Sequence, residues 1–252
     1  MTAVPLLSAR GVCKRFGAVV AAADLNIDVP AGQRLSVIGS NGAGKTTFIN
    51  MVTGYLKPDQ GRIDLDGHDI TRLSHQRIAG LGLCRSFQIP QLCIELTVQE
   101  NLLVAVAAAD DKLSLWQAAD AEAPRRRAEA LMARFGLTAD ADRPVAELAG
   151  GVRKLLDIAM ALARRPKLLL LDEPTSGVSA GEKFDTMRRV MDALSQEAST
   201  VLFVEHDMDI VAEFSERVIA FASGKVIADG PPGETLANAD VRRYVTGVAD
   251  AA

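Results

Sequence analysis

The stretch VIGSNGAGKTTFINMVTG, residues 37–54, constrains this chain more than any other. Within nine residues, 39–47, it places three glycines, one lysine and two threonines, after an apolar run and before a helical one. A loop so rich in glycine adds little to a core. What it offers is bare backbone, whose N–H groups converge with no side chain in the way, backed by the positive end of the helix that follows. Gly39-Ser40-Asn41-Gly42-Ala43-Gly44-Lys45-Thr46 fits the phosphate-binding pattern G-x-x-x-x-G-K-[ST] in full, between a strand and a helix as the pattern requires. Lys45 is then placed for the β- and γ-phosphates and the Thr46 hydroxyl for Mg²⁺, with Thr47 completing the binding set. The plain alternative is a glycine-rich turn with no ligand, and the strand-to-helix setting argues against it. The loop is expected to hold a nucleoside triphosphate.

Length and charge narrow the classes that remain. A chain of 252 residues suffices for one large domain with a subdomain and a well-buried sheet. The net charge of −4 argues against a general nucleic-acid binder, which carries a basic surplus. The one dense basic run, Arg125-Arg126-Arg127, opens a helical pattern and reads as a solvated face. Three cysteines, Cys13, Cys84 and Cys93, show no metal-like spacing and suit a reducing compartment, serving as small apolar side chains. The start, MTAVPLLSAR, lacks the charged opening and apolar stretch of a signal peptide. Apolar runs such as Leu168 to Leu171 fall far short of the ~20 residues that span a bilayer. The expectation is a soluble chain that works at a membrane, if at all, from the side.

Periodicity sets the organisation. RLSVI (34–38) reads as a buried strand, and TTFINMVTG as a helix closed at Gly54. GRIDLDGHDI alternates Ile63, Leu65 and Ile70 around an Asp66-Gly67 turn, an antiparallel hairpin. From about 97 to 165 the pattern is helical, with Thr97 and Glu100 as a capping box and Gly136 ending RRRAEALMARFG. KLLLLD (167–172) and TVLFVE (200–205) are short and apolar, as in a parallel sheet covered on both faces. Between them runs a helix with Phe184, Met187, Met191 and Leu194 on one stripe. A Ser223-Gly224 hairpin follows near the end. The fold class expected is α/β, with an inserted helical subdomain.

The chemistry gathers at strand ends. LLLLDEPTSG sets Asp172 and Glu173 side by side where a buried strand stops. Adjacent carboxylates seldom serve packing there, because an unpaired buried charge is costly. Asp172 suits Mg²⁺, and Glu173 is the group to orient or deprotonate an attacking water, which favours hydrolysis over phosphoryl transfer to another substrate. His206 follows the next apolar strand, on the sheet edge where ligands of open α/β sheets collect, and is placed for the γ-phosphate. His68 and His75 lie in polar surroundings and read as exposed histidines without a task.

The order of phosphate loop, Gln88 in CRSFQ, the ELAGG segment at 147–151, Asp-Glu and then histidine resembles the ATP-binding subunits of ABC transporters over nearly the whole chain. LAGG alone is weak evidence; five motifs in order are specific. The resemblance implies a P-loop NTPase (RecA-like) core at about 1–88 and 160–252, an N-terminal antiparallel β region, and a helical subdomain at about 89–159 of a single domain, 1–252. It implies that Phe16 in KRFG stacks on adenine, and that Gln88 touches Mg²⁺ and reports nucleotide state to a membrane subunit. Leu148, Ala149, Gly150 and Gly151 would form the signature that closes over the partner subunit's ATP. Glu173 would be the catalytic carboxylate, with Lys45 and His206 beside it in the catalytic set, and Thr46, Gln88 and Asp172 would face the metal.

Within that superfamily, GLGLCRSFQIPQLCIELTVQENLLVA and ERVIAFASGKVIADGPPGE are similar to the ATP-binding subunits of branched-chain amino acid importers. Related subunits for amides, urea, aromatic acids or lipopolysaccharide export share these features. A soluble ABC ATPase acting on DNA or ribosomes is a further alternative, though paired nucleotide domains, coiled coils and zinc modules are missing from the chain. The resemblance implies ATP and Mg²⁺ as cofactors and a peripheral place on the cytoplasmic face of the inner membrane. Its partners would be integral-membrane permease subunits, a second ATP-binding subunit and, indirectly, a periplasmic binding protein, with no nucleic acid. Ile89, Pro90, Leu92, Ile94 and Leu96 would offer the apolar coupling surface, against the plain alternative of core filling. Three positions depart from the family pattern: Ala149 for the signature serine, Val152 for its glutamine, and Ser179 for an aspartate. Ser179 and Glu182 form a second capping-box pattern. The weakened signature leads us to expect a second, different ATP-binding subunit as partner.

Overall fold

The computed structural model describes residues 4–109, 122–196 and 199–247. They fall into two compact units, residues 1–83 with 200–252, and residues 84–199.

The first unit holds two sheets. An antiparallel sheet runs in the order β2-β1-β4-β5, from β1 (Leu7–Phe16), β2 (Val19–Val29), β4 (Gln60–Leu65) and β5 (His68–Asp69). Alternation drives it: Leu7, Ala9 and Val12 of β1 and Leu25, Ile27 and Val29 of β2 are buried, while Ser8 and Asp28 between them pair on the other face. The β4–β5 hairpin turns on Asp66 and Gly67, both at positive φ (48° and 77°), with Leu65 opposite His68. The second sheet centres on β3 (Arg34–Gly39), parallel to β8 (Thr200–Val204) on one side and β9 (Arg217–Ala222) on the other; β10 (Lys225–Gly230) runs antiparallel to β9. Helix α1 (Lys45–Val52) buries Phe48, Ile49, Met51 and Val52, and the Phe48 ring lies 5.8 Å from that of Phe221. Helix α2 (His75–Gly80) is short and buries Ile78. His75 stacks on Tyr55, centroids 4.7 Å apart, so it has a packing task that its polar neighbours conceal; His68 is exposed.

The second unit is mostly helical. Strands β6 (Leu83–Ser86) and β7 (Leu168–Asp172) are neighbours. Helices α3 (Val98–Ala109), α4 (Glu122–Phe135) and α5 (Gly150–Leu162) pack on one another, and Leu102, Val106, Leu131, Phe135, Leu155 and Ile158 among their residues are buried. The α3 cap forms as its sequence dictates: the Glu100 N–H donates to Thr97 Oγ1 (3.2 Å) and the Thr97 N–H to Glu100 Oε2 (2.8 Å). The Ser179 pair behaves differently. Its hydroxyl donates to the Glu182 carboxylate (2.5 Å), because residues 179–182 close a turn of their own before α6 (Lys183–Ser195) begins. Arg125 and Arg126 are exposed, as a solvated helix face should be. Cys84 is buried, but Cys93 is exposed and fills no core.

Candidate functional site

The phosphate loop joins β3 to α1 in the first unit. Its conformation is built on glycine. Gly44, at φ 107°, precedes α1, and a Cβ there would lie 2.4 Å from the Ala21 carbonyl oxygen, so no larger residue fits. No side chain caps α1, and no acidic residue stands in its first turn. Nothing in that turn therefore opposes an anion at its leading N–H groups. Lys45 is buried, its ammonium donating to the carbonyls of Gly39 (2.5 Å) and Ser40 (3.1 Å). The Ser40, Asn41, Gly42 and Thr46 positions are exposed, and Thr47 is half-buried.

A support of this loop was not legible in the sequence. The tip of the β9–β10 hairpin reaches it: the Gly224 N–H donates to the Ala43 carbonyl (2.9 Å), and the Ala23 N–H to the Gly224 carbonyl (2.8 Å). The turn signal at Ser223-Gly224 predicted a hairpin, but nothing local marks what its tip touches.

Phe16 ends β1 opposite Val19 and is 51% exposed, so it is not a core residue; the Lys14 ammonium lies 5.6 Å from its ring centre. His206 is also exposed. The β3–β8 register, Val37 opposite Val204, brings it to the same sheet end as Gly39. Its N–H donates to the buried Glu205 carboxylate (3.1 Å).

The second unit carries the acidic pair. Leu168 to Leu171 are wholly buried, and the strand delivers Asp172 and Glu173 to its exit. Asp172 Oδ2 accepts from Arg85 Nη2 at 2.5 Å, with both side chains nearly covered (13% and 9% exposed). The Arg85 guanidinium also lies 4.9 Å from the Phe87 ring centre. Glu173 sits at φ 48°, a left-handed conformation that costs a non-glycine residue roughly 1–2 kcal/mol. There its Oε2 accepts from Gln88 Nε2 at 2.6 Å. Gln88 and Glu173, 85 residues apart, thus meet.

The signature begins α5. Leu148 is buried and Ala149 is the N-cap, offering no side-chain hydrogen bond to the helix. Gly150 is required by close approach, since a Cβ there would lie 2.8 Å from the Gly177 carbonyl oxygen. Gly151 would accept a Cβ in ordinary contact with Val178. Two residues that sequence reasoning passed over lie further along: Lys154 and Asp157 are 1% and 7% exposed. Burial pushes the Asp157 carboxyl above the usual carboxylate range, against hydrogen bonds from the Ser86 hydroxyl and the Gln91 N–H.

The donor types, taken unit by unit, are of the kind Mg²⁺ takes. Among the described residues no cluster of three or more His, Cys, Asp or Glu exists to cage a metal alone. Mg²⁺ characteristically takes one or two protein oxygens and completes its shell with phosphate and water. Each unit offers one hard oxygen donor of that kind, the Thr46 hydroxyl in the first and the Asp172 carboxylate in the second.

The pattern defining the ABC transporter family matches residues 22–176, so the chain belongs to that family and is an ABC ATPase. It is 36% identical to the high-affinity branched-chain amino acid transport ATP-binding protein BraF of Pseudomonas aeruginosa over 97% of this chain and 99% of that protein. The corresponding LivG protein of Escherichia coli K12 is 36% identical, with the same coverage. Among solved structures, a nucleotide-free ATP-binding cassette from an ABC transporter superposes with a TM-score of 0.81 at 31% identity, covering 94% of this chain and 96% of that one. An ABC cassette in its ADP conformation gives 0.81 at 32% identity, covering 93% and 94%. This protein is thus an ABC ATP-binding subunit homologous to those of branched-chain amino acid transport.

Proposed function

We propose that this chain powers uptake of branched-chain or related amino acids through membrane permease subunits, hydrolysing Mg²⁺–ATP from the cytoplasmic face of the inner membrane. The solute rests on the relatives' names, and similarity over 97% of the chain supports it. No helix among the described residues is long and apolar enough to cross a membrane, as a peripheral subunit requires. The boundaries proposed for the helical subdomain remain about 89–159.

The observation that carries the hydrolytic role is the 2.6 Å contact between Glu173 and Gln88 beside the Asp172 carboxylate. Glu173 is held on a strained backbone beside a neutral amide, whereas Asp172 is paired with the Arg85 guanidinium, so of the two carboxylates Glu173 is the one assigned as base. Gly39 to Thr47 and Lys45 hold the phosphates, and Phe16 takes the adenine. Thr46 of the first unit and Gln88 and Asp172 of the second would be the residues that hold Mg²⁺, which would neutralise charge on the phosphate oxygens when bound. Glu173 accepts the water's proton, and His206 addresses the γ-phosphate. Leu148, Ala149, Gly150 and Gly151 act on the partner subunit's ATP. Ile89 and Ile94, 74% and 58% exposed, furnish apolar contact for the permeases, where core filling is excluded by their exposure.

Glu173→Gln keeps ATP binding in an equilibrium titration and lowers turnover roughly 10²-fold or more, the loss expected for a general base. Near-normal turnover would sink the assignment. In cells carrying that substitution, uptake of radiolabelled leucine, isoleucine and valine should fall with turnover. Unchanged uptake beside lost turnover would move the solute elsewhere and leave the ATPase role standing.

A further inference from the structure

Lys154 is among the largest fully buried side chains of the molecule, and a lysine is rarely found so covered unless something holds its charge. Its ammonium has three donors, and three backbone carbonyls receive them: Phe87 (2.7 Å), Asp172 (3.1 Å) and Gln88 (3.4 Å). One turn along the same helix, Asp157 accepts from the Ser86 hydroxyl (2.5 Å) and from the Gln91 N–H (3.2 Å). Two side chains of α5 thus grip the segment 86–91 at Ser86, Phe87, Gln88 and Gln91, just where β6 has ended and the backbone has no ladder to satisfy it. The neighbours Leu155, Leu156, Ile158, Ala159 and Leu162 are buried and apolar. Packing alone would have been served by apolar residues at 154 and 157 as well, since burying charge is costly.

We propose that Lys154 is a positioning residue for hydrolysis, the node through which the signature helix fixes the backbones of Gln88 and of Asp172 on a single ammonium. It acts through these backbones rather than on the reacting groups. It sets the register between the amide of Gln88 and the carboxylate of Glu173, whose 2.6 Å contact depends on both backbones staying in place. A shift of α5 at its signature end would then be felt at Gln88 and Glu173 together. The inference rests on the reading of those two residues given above.

The test uses the full-length chain assembled with its transporter. Lys154→Met keeps length and removes the donors; kcat should fall at least tenfold with KM for ATP within twofold, since the phosphate loop is untouched. Combined with Gln88→Ala, it should add clearly less than its own single loss, because Lys154 acts in part through Gln88. Amides 87–91 should exchange hydrogen faster in Lys154→Met without nucleotide, a readout independent of turnover. Additive losses, an unchanged kcat or unchanged exchange would overturn the proposal. Where Lys154→Met does not accumulate folded, Ser86→Ala with Asp157→Asn loosens the same segment and should lower kcat at constant KM; no change there also overturns it. Glu173→Gln is measured alongside. If it retains turnover, the hydrolytic reading itself fails; if it is inactive while Lys154→Met is normal, only the positioning role fails.

Discussion

The Lys45 ammonium donates to two carbonyls of its own loop, Gly39 and Ser40, and a bound nucleotide would exchange them for phosphate oxygens. Its loss should therefore appear in affinity before chemistry. Lys45→Ala is expected to weaken ATP binding in a fluorescence or calorimetric titration, and unchanged affinity would argue against its role. Phe16 poses the complementary case. Half-exposed and without a polar handle, it would bind a base by stacking alone, worth ~1–3 kcal/mol. Phe16→Ala should raise KM for ATP clearly and leave thermal stability nearly unchanged, since little of the ring is buried; a KM within twofold would place the aromatic platform elsewhere. The pattern G-x-x-x-x-G-K-T made Lys45 legible because its spacing encodes backbone geometry. The exposure of Phe16 was not legible, because a lone aromatic after a basic pair reads equally as core or surface.

Elements were readable where burial is uniform. The four leucines of β7 announce a covered strand, and Thr97 with Glu100 announces a helix start. What escaped the pattern were polar groups inside apolar stripes. Lys154 and Asp157 sit in a helix that otherwise reads as core, and their partners are 66 to 71 residues away in sequence or at the far end of β7. The hairpin tip at Gly224 escaped for the same reason. Helix α5 also begins poorly: Ala149 holds an extended conformation (φ −63°, ψ 154°) suited to a cap but supplies no acceptor. Ala149→Ser adds the missing oxygen. It should stabilise the folded chain by about 0.5–2 kcal/mol, read as a higher midpoint in denaturant at unchanged slope. A midpoint that falls would mean the hydroxyl has no room or no free N–H to take.

At the scale of the whole molecule, the order of five motifs made the family legible, because each motif is a geometric demand and the match over residues 22–176 agrees with their sum. The departures from that order make the last prediction. This chain has a complete phosphate loop with Asp172, Glu173 and His206, yet its signature lacks the hydroxyl and the amide at Ala149 and Val152. The N–H groups at the start of α5 still favour an anion, with no acidic residue in the first turn to oppose it. What is lost is one or two side-chain hydrogen bonds, each worth about 0.5–1.5 kcal/mol, and more against a charged phosphate. Such a signature should slow the site it completes without abolishing it. The chain should therefore pair with a different ATP-binding subunit whose signature is more regular. The faster site would be built on this chain's Lys45 and Glu173, and the slower one would be completed by its own Gly150 and Gly151. Replacing the catalytic glutamate by glutamine in each subunit separately, and measuring transport-coupled hydrolysis, should give the larger loss when Glu173 is replaced. Restoring Ala149→Ser and Val152→Gln together should narrow the difference. Equal losses from the two single replacements, or a fully active homodimer of this chain, would defeat the asymmetry while leaving the ATPase intact.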